Sequence, residues 1–237
     1  MNSVDEWSDA FDTVVDSYRR FKDFDKREML DSIEFTEYEK SVYLTLAQSE
    51  IAIGLYSGKH IYGEPFEDTE EMRRYLDSLV KTAEPSKSNS GNPVAVSSTS
   101  VFYTLPSDIA FIVYERAALT DSELGCYDGT YTNVLPITHD EYNRIRRSPF
   151  RGANKYKVLR LDAGSGKVEL ISKYTVTGYV IRYLAKPAPI ILETLEDGLS
   201  IEGETTAQKC LLNEMLHRPI LNRAVQLALA SKGINVN

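Results

Sequence analysis

Apolar positions recur with two different periods along the chain, and the change of period divides it. Near the start, Val4, Trp7, Phe11, Val14, Val15 and Tyr18 return at spacings of three and four, which predicts an amphipathic helix over residues 3–20. Asp5, Asp9, Asp12 and Asp16 occupy other faces, and acids in a first turn suit the positive end of the helix dipole. The charged run Arg19 to Asp31 reads as a connection with at most a short helical turn. A second helix is better marked. Thr36-Glu37-Tyr38-Glu39 is a capping box, so a helix is predicted over 37–57, stopped by Gly58. Its apolar residues Val42, Tyr43, Leu46, Ala47, Ile51, Ile53 and Leu55 cover more than one face. That width implies packing on two sides, by a bundle neighbour or by another subunit. Thr69 as cap, Glu70 and Glu71 in the first turn and the stripe Met72, Leu76, Leu79, Val80 predict a third helix over 70–82. Residues 83–100 are rich in Ser, Asn, Pro and Gly and read as a flexible loop or arm.

The middle of the chain switches to strand-like runs. Val101–Tyr103, Ile109–Tyr114, Val134–Ile137, Lys155–Leu161, Lys167–Ser172 and Thr175–Leu184 are the predicted strands. Asp162-Ala163-Gly164-Ser165-Gly166 is the turn of a hairpin. Thr138-His139-Asp140-Glu141 is a second capping box, predicting a short helix through about Arg147. A last helix starts near 211–216 and runs to Ser231, with Gly233 as its stop and Pro219 confined to its first turn. Helices, strands, then a helix make an α+β fold. Its expected form is a helical bundle from the N- and C-terminal helices with a central, mainly antiparallel β-rich region. The segments are then 1–82, 83–100, 101–190 and 208–233, within one compact unit.

Composition narrows the function. The chain has 237 residues and a formal net charge of −8. Proteins that grip nucleic acid regardless of sequence are usually basic, because phosphate neutralisation drives their affinity. No apolar run approaches the roughly 20 residues that cross a bilayer, and the polar, acidic start Met1–Glu6 does not read as a signal peptide. Cys126 and Cys210 are far apart and form neither a disulfide framework nor a zinc module.

Each chemical motif has a plainer explanation. Gly164-Ser165-Gly166-Lys167 lacks the Gly at 161 and the Ser or Thr at 168 that a phosphate loop requires, and it lies between two strands. Glu214-x-x-His217 has no second copy, so a di-metal bundle site is not complete. His139-Asp140-Glu141 sits at a helix start, where capping accounts for both acids. His60 has no evident partner. No metal or cofactor site is expected, and no enzyme. The alternatives kept open are a small cytosolic hydrolase using Cys126 or Cys210 and a nucleic-acid accessory protein. Arg144, Arg146, Arg147, Arg151, Lys155, Lys157 and Arg160 form the one basic concentration. Its first four arginines are candidate contacts for an acidic neighbouring subunit or for DNA. The overall acidity favours protein or solvent over DNA.

Several segments, in order, carry a resemblance: Glu39-Lys40-Ser41-Val42-Tyr43-Leu44-Thr45-Leu46-Ala47-Gln48, Leu105-Pro106-Ser107-Asp108, His139-Asp140-Glu141-Tyr142 through Phe150-Arg151, Tyr179 through Pro187, and Cys210 through Ala228. Together they resemble the head–tail connector, neck-ring or tail-tubular-like proteins of tailed bacteriophages, of the crAss-like type. The resemblance implies a structural virion protein, made in the host cytoplasm, whose copies form a dodecameric ring. That ring would bind the portal or adjacent neck and tail rings, and DNA would pass through its lumen without specific binding. The resemblance supplies no catalytic residue.

Overall fold

The computed structural model describes residues 3–21, 34–59, 70–146, 148, 150–196 and 198–234. The connection predicted after Arg19 (residues 22–31), His60, the Thr69 cap and Arg147 lie outside the described residues. In chain order the elements are α1 (Val4–Phe21), α2 (Glu37–Ser57), α3 (Glu70–Tyr75), β1 (Val80–Ala83), β2 (Ser86–Lys87), β3 (Ser100–Thr104), β4 (Ile109–Thr120), β5 (Tyr131–Pro136), α4 (His139–Ile145), β6 (Lys157–Gly164), β7 (Lys167–Ile171), β8 (Thr175–Ala185) and α5 (His217–Ser231). The fold is α+β. The chain divides into a helical unit, residues 1–79 with 186–237, and a β unit, residues 80–185.

The helical unit is organised around α2. Both halves of its capping box form: Glu39 N–H donates to Thr36 Oγ1 at 3.2 Å, and Thr36 N–H donates to Glu39 Oε2 at 3.0 Å. Gly58 ends the helix in the left-handed conformation, φ 69°. Helix α5 runs antiparallel along α2. Tyr43 Oη donates to Ser231 Oγ at 2.7 Å, Arg223 Nε to Glu50 Oε2 at 2.7 Å, and Lys232 Nζ to Glu39 Oε1 at 3.3 Å. Helix α1 buries Trp7, Phe11 and Val15, the predicted stripe, and contacts both α2 and α5. Its Asp12, with Glu37 and Ser8, closes on Lys40 Nζ at 2.7, 2.9 and 3.0 Å, which satisfies a lysine that is only 4% exposed.

The second side of α2 is not covered by a helix. Extended chain lies there, held by side chains that a periodicity argument counts as polar. Ile190 N–H donates to Thr45 Oγ1, Leu192 N–H to Ser41 Oγ, and Gln48 Nε2 to the Ala188 carbonyl, at 3.0, 3.0 and 2.7 Å. These bonds let Ser41, Thr45 and Gln48 be buried without leaving polar groups unpaired. The expectation that α2 packs on two sides therefore holds within one chain, while Leu46 and Ile53 stay about half exposed.

In the β unit, eight strands form one sheet in the order β1-β8-β4-β5-β6-β7-β3-β2. Strands β1 and β2 lie at opposite edges, yet only Glu84 and Pro85 separate them in sequence. The sheet must therefore curl until its edges approach. Tyr103 on β3 meets Tyr179 on β8 with ring centroids 5.2 Å apart, and Lys87 Nζ donates to the Val176 carbonyl at 2.8 Å. The inner face holds the main core, including Ala117, Leu119, Val134, Val158, Val168 and Ile181. All pairings are antiparallel except β5 with β6. That parallel pair needs a crossover, which α4 supplies. Ile145 and Tyr142 of α4 pack on Leu159, Leu161 and Ile171 of the outer face. Thr138 caps α4 by accepting from Glu141 N–H at 3.2 Å.

Two predicted segments are corrected. The helix expected over 70–82 ends at Tyr75, because Val80–Ala83 pairs with Ala185-side residues Ile181–Leu184 of β8. Leu76 and Leu79 remain buried, so the apolar spacing there served a turn rather than a helix. Residues 83–100, expected as a flexible loop, contain β2 and are tied down by polar bonds. Lys167 Nζ donates to the carbonyls of Ser90 and Gly91 at 2.7 and 2.8 Å, and Val96 N–H donates to the buried Glu169 Oε1 at 2.8 Å.

Candidate assembly surfaces

The local chemistry of the motifs is structural. Ser165 and Gly166 both have positive φ, 51° and 68°, as a tight hairpin turn requires. The lysine of the phosphate-loop look-alike, Lys167, is the residue that holds Ser90 and Gly91. His217 turns inward: its ring lies 5.1 Å from Trp7, and Nε2 donates to the Leu212 carbonyl at 3.1 Å. Burial pushes its pKa below the ordinary histidine range, which keeps the imidazole neutral. Glu214 stays exposed. Among the described residues, no three His, Cys, Asp or Glu side chains gather as a metal site would require. Cys210 is buried; its Sγ donates to Gln48 Oε1 at 3.1 Å, and burial pushes the thiol up to about 11. A thiol so protonated at neutral pH is a poor nucleophile. Cys126 is exposed, and His139, also exposed, binds the Asp162 carbonyl at 3.2 Å.

The basic concentration separates into two environments. Arg144, Arg146 and Arg151 are exposed on α4 and the loop after it. Arg160 instead points into the curled sheet, where Nη1 lies 3.2 Å from Glu115 Oε1, and Tyr179 Oη donates to Glu115 Oε2 at 2.6 Å. Both charged side chains are nearly buried, at 11% and 7% exposure. Burial pushes the Glu115 carboxyl up, against the opposing pull of the Arg160 charge. Sequence periodicity carried one sign of this cluster: Glu115 shares the inward parity of Ala117 and Leu119 on β4.

Several aromatic side chains of the β unit are exposed, among them Tyr127, Tyr131, Phe150 and Tyr156. Phe150 is 88% exposed. Lys157 Nζ reaches its carbonyl at 3.5 Å. Tyr127 and Tyr156 meet edge-on at 5.5 Å, Lys155 lies over both rings, and Arg116 stacks 4.2 Å above Tyr131. Tyrosine and arginine together are the composition of contact surfaces. In the helical unit a separate apolar groove of about 420 Å³ is lined by Ile51, Leu55, Tyr75, Met215, Leu216 and Pro219, with Glu50, Lys59 and Arg223 also on its wall. Sequence reasoning singled out neither Phe150 nor this groove. Phe150 could have been noticed as a lone large apolar residue between polar and basic neighbours.

A family model described as phage tail ring protein 3/4 matches residues 1–237. The chain belongs to this family. A relative named Ring protein 3, from Bacteroides phage crAss001, is 48% identical over 228 residues, covering 96% of this chain and 95% of the relative. Ring protein 4/5 of the same phage is 33% identical over 204 residues, with 82% of each chain covered. A phage tail ring protein of this kind is the class that the ordered segments resemble. The match spans the whole chain, both units included, so the aromatic-basic surface and the groove lie within the family's length.

Proposed function

We propose that the protein is a structural component of the virion whose copies close into a ring within the phage head–tail connector. The ring extends the channel below the portal and presents a surface to the next ring or the tail, with the dodecameric closure that the resemblance implies. One observation carries this, the match of a tail ring family model to residues 1–237, and a relative named Ring protein 3, 48% identical over 228 residues, agrees with it. The chemistry of the chain supports a non-enzymatic role, since His217 and Cys210 are spent inside the fold. The net charge of −8 suits a channel through which DNA slides without being gripped. Partners are further copies of the chain, the portal and adjacent ring proteins. Its place is the virion, with no membrane association proposed; among the described residues no helix is long and apolar enough to cross one.

Electron microscopy of the purified protein at rising concentration, with immunogold labelling of intact virions, tests this. The expected result is closed rings and label at the neck. Absence of the protein from purified virions sinks the proposal, whereas a free monomer that appears in virion rings does not.

A further inference from the structure

We infer that an acidic hairpin in the helical unit of one copy, carrying Glu193, Glu196, Glu202 and Glu204, docks on Arg144, Arg146, Phe150 and Arg151 in the β unit of the next copy. The inference rests on the ring function above and names the contact that builds the ring. The hairpin is held by its backbone. Ile191 and Gln208 exchange two hydrogen bonds at 2.9 Å, Leu195 N–H donates to the Thr205 carbonyl at 2.8 Å, and Ile201 and Glu204 exchange two at 3.0 Å. Glu202 and Gly203 turn the chain with positive φ, 53° and 89°, as a two-residue hairpin turn requires. Ile191 and Ile201 are buried, while Leu199 is 41% exposed.

Charge selects the partner. The four glutamates of the hairpin are exposed, and no Lys or Arg lies between Leu192 and Lys209 in the chain. Among the described residues, none of the four enters an ion pair. By contrast, Asp12 and Glu37 of the same unit hold Lys40, Glu39 meets Lys232, Glu50 meets Arg223 and Glu70 meets Arg74. The receiving surface is also of one sign. Arg144, Arg146 and Arg151 are exposed, and none of them is ion-paired among the described residues. No Asp or Glu lies between Glu141 and Arg160 in the chain. Each surface adds an apolar residue, Phe150 at 88% and Leu199 at 41% exposure. An apolar anchor inside a rim of complementary charge gives both affinity and orientation. The total charge of −8 disfavours nucleic acid as the partner of the arginines. The two surfaces differ, so the contact is heterologous. Repeating such a contact closes a ring whenever its rotation closes.

The test reverses exposed charges in the full-length chain. One variant carries Glu196→Lys and Glu204→Lys, a second carries Arg146→Glu and Arg151→Glu, and a third carries all four changes. Light scattering at low salt reads the concentration for half-assembly. Each two-residue reversal sets like charges against each other and should raise that concentration at least about 10-fold over the parent. An equimolar mixture of the two should assemble like the parent, because each then meets opposite charge on the other. The chain with all four changes should assemble like the parent for the same reason. Normal assembly of either two-residue variant alone, or a mixture that is not rescued, overturns the docking and leaves the ring function standing. A monomer whose thermal midpoint drops with each two-residue reversal and recovers with all four changes places the contact within one chain, which overturns the choice of a second copy. Retention on double-stranded DNA that the arginine reversal abolishes, with assembly unchanged, gives these residues to DNA and overturns the docking as well. A parent that stays monomeric at its highest soluble concentration also overturns the docking; if it is absent from virions too, the ring function falls with it.

Discussion

Glu115, Arg160 and Tyr179 show how a polar group survives inside a β core. The carboxylate takes a hydroxyl hydrogen bond on one oxygen and faces a guanidinium with the other. Removing one member of a buried pair strands the other's charge, which typically costs about 3–5 kcal/mol. Glu115→Ala should therefore lower unfolding stability by about that amount in urea titration, while Glu115→Leu combined with Arg160→Met should recover most of it. A loss no larger than that of an exposed-charge deletion would count against a buried pair. His217 gives a pH signature. Burial lowers its folded-state pKa, so the fold favours the neutral ring. As pH falls below about 6.5, the unfolded chain takes up the proton first, and stability declines until the folded value is passed. Thermal melts should show that decline, and His217→Gln should flatten it; an unchanged slope in the variant would refute the assignment.

At the scale of elements, α2 is the informative one. Its boundaries follow from Thr36, Glu39 and Gly58, all local signals. Its partners do not, because Ser41, Thr45 and Gln48 look like a solvent face and are instead where the chain at 188–192 hydrogen bonds. Thr45→Val keeps the shape and removes the acceptor for Ile190 N–H. The expected cost is about 1–3 kcal/mol, read by chemical denaturation of the variant against the parent. The same gap between local and distant information explains the third helix. Met72, Leu76 and Leu79 have helical spacing and are all buried, but Val80 begins a strand because β8 offers it a ladder. Residues 83–100 hold few apolar groups, a composition that predicts mobility. Lys167 and the buried Glu169 hold them through backbone groups instead.

At the scale of the molecule, the distribution of charge matters more than its total. A formal −8 conceals a β unit of +3 and a helical unit of −11. If opposite units of neighbouring copies meet, assembly should weaken as salt rises, because exposed charges are screened over about 10 Å at 0.1 M. Light scattering across a salt series should show the assembly threshold rising several-fold. A threshold that falls steadily with salt would indicate a contact without charge complementarity.

The amino-acid order by itself determined what depends on neighbours in sequence. It set the α+β class, the caps at Thr36 and Thr138, the hairpin at Ser165–Gly166 and the stripe of α1. It also carried the resemblance that the family match bears out. Beyond the β6–β7 hairpin, tertiary structure decided which strands pair, and so placed β1 and β2 at opposite edges of a curled sheet and β5 parallel to β6. It turned Arg160 inward to Glu115 while leaving Arg144, Arg146 and Arg151 outside. It brought three distant segments together into the apolar groove. The reason is physical: caps and turns are satisfied within a few residues, whereas ladder pairing, charge burial and grooves arise only when residues far apart in the chain meet.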